Sequence, residues 1–387
     1  MKDGFGHDNG RYLTTLILDT ETTTFQKGNP FAKRNSLCYI GTYPEGGSIY
    51  VGSPDILPTV GQQILSASIV VGFNLKFDLH WIRRAGYSGS YRRVWDCQLA
   101  HFLLTGQTER YPSLNSVLAY YELPPKDDRI TTEYWDKGID TPDIPQDEIL
   151  SYLTTDLLRT RAVYDRQVKD FESLPKLFRL FQLGCQDLLV LAEMEWNGLK
   201  LDVAKATQKA SDVYAKLEHI ETALNSLYPH LSINWDSGDD VSCVLYGGTL
   251  TRESREIVGV YKTGQKVGFP RYRINKEEYI LTRLVEPIEG SELKKAGYWS
   301  IDESVLKQLK GQKSLIANLL ERSKLMKELD YYEGLPKLII EKDWDGEILH
   351  GQLNQCVAAT GRLSASQPNQ QNLSDGIKEC IVSRYES

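Results

Sequence analysis

Three short acidic motifs follow one another in the N-terminal half of the chain, at spacings that let their carboxylates meet. Asp19 and Glu21 stand two apart in DTET, at the end of the apolar run TTLILD. In an extended strand such residues point to the same side, so both carboxylates can reach one ion. Asp78 follows a second apolar run, in NLKFD. Asp156 closes SYLTTD in a helical stretch, and Tyr152, four residues earlier, shares its helix face. Clustered carboxylates repel one another. A hard divalent cation, Mg²⁺ or Mn²⁺, is the usual remedy because it prefers oxygen ligands. Such a pocket serves two-metal phosphodiester hydrolysis, in which one ion acidifies a bound water and the other stabilises the leaving oxygen. A tyrosine hydroxyl beside that water would orient it without a general-base histidine. Each motif alone is weak, since acidic residues often end strands; the three in this order are far more specific.

The elements that must carry these groups read as α/β. Residues 14–19 form a buried strand, and 37–43 and 48–52 form two more, joined by the hairpin signal PEGG. Residues 68–74 give a fourth strand, followed by a helix over 76–85. VWDCQLAHFLL, PSLNSVLAYYEL and the stretch starting DEILSYL read as helices, which predicts a mixed sheet flanked by helices. Past about residue 171 the pattern turns helical. It breaks at Asn197-Gly198, restarts as extended LKLD and continues as a long amphipathic helix from VAKATQ. Residues 236–297 are turn-rich and read as short strands and loops, residues 301–341 as helix broken near Gly311, and the last segment as polar.

Composition narrows the class. With 45 Lys+Arg against 52 Asp+Glu the formal charge is −7, which argues against a generic polyanion binder but not against a nuclease with a local acidic site. Cys38, Cys97, Cys185, Cys243, Cys356 and Cys380 are scattered without a CxxC pair, so reduced thiols are expected and a zinc site is not. No apolar run is long enough to cross a membrane and MKDGFGHDNGRYL lacks a signal-peptide core, so the expected location is cytoplasmic, with no membrane partner.

DTET, NLKFD and SYLTTD resemble, in order, the three motifs of the DEDD 3′–5′ exonucleases with a tyrosine in the third, the proofreading nuclease of family A (bacterial DNA polymerase I-like) DNA polymerases. The resemblance implies an RNase H-like fold over roughly residues 12–168. It makes Asp19, Glu21, Asp78 and Asp156 the ligands of two divalent ions, Asp78 acting mainly through metal-bound water. Tyr152 would contact the attacking water, and Asn74 would help hold the terminal nucleotide of a single-stranded DNA 3′ end. Asp96, in VWDCQLAHFLL, either supports the site or simply caps a helix.

The resemblance continues downstream. LLVLAEMEWNGLKLD is similar to the start of the family A polymerase domain, and LIANLLERSKLMKELDYYEGLPKLI to its thumb helices. The basic run Lys307, Lys310, Lys313, Arg322, Lys324 and Lys327 suits phosphates, and Lys310, Lys313, Lys324 and Lys327 are the expected DNA contacts. AATGRLSASQPNQQNL resembles the segment lying along the primer–template duplex, with Thr360, Arg362, Ser364, Ser366, Asn369 and Asn372 as its polar residues; Gln370 stands where an apolar residue is usual. The implied organisation is an RNase H-like exonuclease domain at 1–170, the start of the polymerase domain including a mostly helical thumb at 171–345, and an incomplete palm segment at 346–387. KECIVSRYES is similar to the stretch before the first polymerase carboxylate motif, and that motif is not found. The expectation is therefore a complete exonuclease whose polymerase site is finished elsewhere, with a C-terminal polymerase fragment on a separate chain as a possible partner and a phage-type enzyme in an infected bacterial host as the setting. A stand-alone exonuclease and a non-catalytic DNA-binding subunit remain as alternatives, and residues 236–297 as either thumb-tip structure or a partner site.

Overall fold

The computed structural model describes residues 7–8, 11–12 and 14–385. They form two compact units: residues up to Ala206 together with those from Glu333 onward, and Thr207–Tyr332. These packing units do not follow the functional segments drawn at 170 and 345, because residues 171–206 and 333–385 pack with the N-terminal domain.

In the first unit, β1 (Thr15–Thr22) is central in a five-stranded sheet. β2 (Leu37–Pro44) pairs with it antiparallel, and β3 (Tyr50–Gly52) pairs antiparallel with β2. After helix α1 (Leu57–Ser66), β4 (Ile69–Gly72) lies parallel to β1. After helix α2 (Leu75–Arg84), β5 (Val94–Asp96) lies parallel to β4. The order β3-β2-β1-β4-β5 is the RNase H-like arrangement the sequence implied. Leu16, Ile17 and Leu18 are all within 1% of full burial, as a central strand covered on both faces requires.

One expectation is corrected here. The residues VWD do not open a helix; they pair with β4, and helix α3 begins only at Cys97 (Cys97–Leu104). Three residues are too few to show a period of two before the helical spacing takes over. Helices α4 (Leu114–Tyr120), α5 (Gln146–Glu172) and α6 (Pro175–Asn197) follow. α6 stops at Gly198, whose φ of +60° and approach to the Leu349 carbonyl (a Cβ would lie 2.7 Å from it) leave no room for a side chain. Strand β6 (Leu199–Leu201) and helix α7 (Val203–Asn225) continue the chain.

The second unit holds α8 (Gly238–Tyr246) and two strands, β7 (Gly248–Val260) and β8 (Pro270–Leu281), paired antiparallel as a long ribbon. Of the short strands and loops expected over 236–297, residues 238–281 are instead a helix and one extended hairpin, and 282–297 are turns and loops as expected. Charged residues on both faces of the hairpin hid the strand period. Helix α9 (Lys313–Glu341) follows. The core of this unit gathers Leu224, Val244, Leu245, Tyr246, Leu315 and Leu319.

Back in the first unit, β9 (Ile348–Leu349) and β12 (Ile381–Val382) flank β6 antiparallel, and β10 (Gln352–Asn354) pairs with β11 (Ser364–Ser366). All six cysteines are free thiols. Among the described residues, no helix is long and apolar enough to cross a membrane.

Candidate active site

β1 carries Asp19 and Glu21 past the end of its pairing with β4, and α5 crosses the same edge with Tyr152 and Asp156 one turn apart. α5 can come this close because Gly41 of β2, paired with Asp19, has no side chain. A Cβ there would lie 2.8 Å from Leu157 Cδ1 and 2.9 Å from Leu153 Cγ. One carboxylate oxygen each of Asp19, Glu21 and Asp156 lies within 4.8 Å of the others. Asp78 stands outside that triad. It is buried on α2, where its Oδ1 accepts a 2.6 Å bond from the Thr20 hydroxyl, and it feels the Asp19 charge.

The electrostatics are those of crowded anions. Burial, then the Asp156 charge, pushes the Asp19 carboxyl up to about 7, with Lys126 and the Thr20 backbone opposing. Burial and Asp19 push Glu21 and Asp78 well above the carboxylate range. Asp156 is raised by burial despite Lys126, whose Nζ lies 2.5 Å from Asp156 Oδ2. The other oxygen of Asp156, Oδ1, is buried without a hydrogen-bond partner. An all-oxygen donor set, mutual repulsion and an orphaned acceptor fit a hard divalent ion. Tyr152 is 5% exposed, its ring set edge-on to Trp135 and faced by Lys126 Nζ at 4.6 Å. Burial, then Asp156, raises its phenol strongly, so it is a protonated hydroxyl at neutral pH.

Asp96 does cap a helix, and its carboxylate reaches a second segment as well. Its side chain caps α3 by accepting from the Gln98 and Leu99 amides at 2.8 and 3.2 Å. It also accepts from the Asn74 and Leu75 amides at 3.3 and 3.0 Å. Asn74 is thereby held at the start of α2 with φ +57°, a conformation asparagine tolerates.

Lys126 is the residue that sequence reasoning missed. It sits in a loop between the second and third motifs, where no periodicity marks it. In the second unit Lys310, Lys313, Lys324 and Lys327 are exposed. Arg322 of the same run is instead 8% exposed and turned inward, bonding Glu221 at 2.8 Å and Asp236 at 2.9 Å. In the first unit Thr360, Arg362, Asn369 and Asn372 are exposed, and Ser364 and Ser366 are half-buried at the two ends of β11.

Residues 264–385 match the family model of DNA polymerase family A. The chain is 27% identical over 308 residues to DNA polymerase I of Chloroflexus aurantiacus, covering 78% of this chain and 28% of that protein. It is 26% identical over 286 residues to DNA polymerase I of Synechocystis, covering 72% and 24%. Thermostable DNA polymerase I of Thermus thermophilus matches at 29% over 185 residues, 48% of this chain and 17% of that protein. The chain thus spans about a quarter of the length of the first two relatives. A solved structure, the POL domain of Pol1 from M. smegmatis in complex with DNA primer-template and dNTP, superposes with a TM-score of 0.66 at 15% identity, covering 96% of this chain and 55% of that one; this is a likeness of fold.

Proposed function

We propose, from the premise that this chain is a family A DNA polymerase-like protein, that its N-terminal α/β domain is a metal-dependent 3′–5′ exonuclease acting on DNA. The observation that carries the reading is the convergence of Asp19, Glu21 and Asp156 around the unpartnered Oδ1 of Asp156, with Asp78 behind them. Two divalent ions, Mg²⁺ or Mn²⁺, held by Asp19, Glu21, Asp156 and Asp78, would neutralise the cluster and acidify water beside the scissile phosphate. The chain's own groups do the rest. The protonated Tyr152 hydroxyl orients the attacking water, and Lys126 restrains Asp156 and adds positive charge toward the phosphate. Asn74, fixed by Asp96, lines the approach of the terminal nucleotide. Lys310, Lys313, Lys324 and Lys327, with Thr360, Arg362, Ser364, Ser366, Asn369 and Asn372, contact the backbone of the single-stranded end and the primer–template duplex.

For nucleotidyl transfer a second acidic pair is needed at the primer end. Asp375 is taken up in a pair with Lys378 at 2.8 Å, and Glu379 belongs to no metal-holding acidic group among the described residues; Glu386 lies outside them. The reading therefore assigns polymerisation to further palm and fingers sequence, in cis or on a separate chain.

The test is digestion of a 5′-labelled single-stranded oligonucleotide with Mg²⁺. The expected product is a ladder shortening from the 3′ end, abolished by EDTA and by Asp19→Ala with Glu21→Ala. Retention of most activity in the double variant overturns the assignment.

A further inference from the structure

The β7–β8 ribbon is anchored at one end and bare at the other. Leu250 and Leu281, at its base, are buried with Val244 and Leu245 in the core of the second unit. From residue 257 to 275 the sequence holds Lys262, Lys266, Arg271 and Arg273 and no acidic residue, in a chain whose net charge is −7. The ion pairs on the ribbon lie nearer its base, Arg252 with Asp240 and Lys276 with Glu253. Arg271 and Arg273, two apart on β8, share one face. Val260 with Pro270 and Ile257 with Tyr272 are register partners on the other. A two-stranded ribbon has no second layer to cover it. Phe269 is accordingly 64% exposed, Tyr272 48% and Tyr261 38%.

We propose that the distal half of this ribbon is a binding surface for single-stranded polynucleotide, its four cations tracking phosphates and Tyr261 and Phe269, the register pair on the face of Arg271 and Arg273, stacking on bases. Cations interleaved with bare aromatic rings make such a platform. A protein partner fits less well, because it would have to desolvate four cations, of which only Arg273 faces a carboxylate, Glu256, across the ribbon. Stacking favours a single strand over a duplex, whose bases are already stacked. The partner's identity rests on the DNA-handling reading above; the surface does not depend on the acidic cluster.

The experiment uses the full chain in EDTA, with fluorescein-labelled oligothymidylate followed by anisotropy across a salt series. Lys262→Ala, Lys266→Ala, Arg271→Ala and Arg273→Ala combined should weaken binding and flatten the salt dependence by about 0.7 in slope per lost phosphate contact. Phe269→Ala with Tyr261→Ala should weaken binding by about tenfold or more at unchanged slope. All these side chains are exposed, and an unchanged melting midpoint verifies folding. In Mg²⁺, hydrolysis of the p-nitrophenyl ester of thymidine 5′-monophosphate, too short to reach the ribbon, should be the same in both variants. If that ester is not hydrolysed by the unmodified chain while the ribbon effects stand, the exonuclease reading fails and the ribbon remains. Unchanged oligothymidylate affinity and slope in the two variants overturn the ribbon proposal. So does an equal loss of binding to a blunt duplex.

Discussion

The first unit contains two buried charge clusters that obey opposite rules. Around Asp19, carboxylates face one another with Lys126 as their nearest cation, and one oxygen of Asp156 has no partner. Around Glu195, 4% exposed, every acceptor is used. Its Oε1 accepts from Lys76 Nζ and the Leu353 amide, each at 2.5 Å, and its Oε2 meets His80 Nε2 at 2.9 Å. Burial pushes the Glu195 carboxyl up, yet the His80 bond and Lys76 outweigh it and hold it below the ordinary value. The same chemical group is raised in one cluster and lowered in the other. The difference is internal neutralisation. The Glu195 cluster is complete and joins α2, α6 and β10; the Asp19 cluster is left open on the side where a ligand would bring charge.

The largest effect expected from breaking the open cluster is chemical. Tyr152→Phe removes one positioned hydroxyl and no ligand charge, so hydrolysis of a single-stranded 3′ end should fall by about 10²–10⁴-fold. Metal binding, read by calorimetry, should hold. Collapse of metal affinity at an intact intrinsic rate would make the tyrosine structural.

The closed cluster should instead fail in stability. Glu195→Ala leaves the half-buried Lys76 beside His80 without its carboxylate and strips the buried Leu353 amide of its acceptor, which costs about 3 kcal/mol in a denaturant titration. Asp19→Asn should act in the opposite direction. A carboxyl raised to about 7 binds more protons folded than unfolded, so stability falls as pH rises from the ordinary value of 3.8 toward 7. In EDTA at pH 8 the amide variant should therefore be more stable, by roughly 1 kcal/mol, and the gain should vanish near pH 4. Mg²⁺ should stabilise the unmodified chain and not the variant. A destabilised Asp19→Asn chain at pH 8 would erase the contrast between the two clusters.

The open cluster was legible in the sequence, and the closed one was not, for a physical reason. Asp19 and Glu21 sit at the period of a strand and Tyr152 and Asp156 at the period of a helix, so local geometry alone puts each pair on one side. Lys76, His80, Glu195 and Leu353 are joined by the fold, across 277 positions between Lys76 and Leu353, and no local period links them. Lys126 escaped because loops have no period, and the strand at Val94–Asp96 because it is too short to show one. The mixed sheet, the hairpin at PEGG and the helix–strand break at Gly198 followed from turn chemistry and alternation. The inward turn of Arg322 did not, since a basic run looks the same from sequence whether a member faces water or Glu221.

The smallest effect sharpens the closed cluster from its edge. His350 stacks on Phe31 with ring centroids 4.2 Å apart, and its Nδ1 lies 2.9 Å from the Glu195 carbonyl oxygen, which the neutral ring meets as a donor. Burial lowers its pKa from 6.5 to about 4. Between those values the unfolded chain binds the proton and the folded chain does not, so unfolding free energy falls as pH falls from 6.5 to 4 and this contribution is flat outside that window. His350→Gln keeps a donor for the carbonyl but cannot titrate. The variant should be less stable than the unmodified chain at pH 8, where the ring stack is lost. The gap should narrow by about 1 kcal/mol by pH 5, a figure below the full shift because the ring keeps some contact with water. The measurement is the urea midpoint of both proteins from pH 4 to 8. His80, also lowered by burial, titrates in both, so its contribution cancels in the difference. Parallel curves across the window would mean that His350 takes up its proton as easily folded as unfolded, and that the edge of the closed cluster is open to water after all.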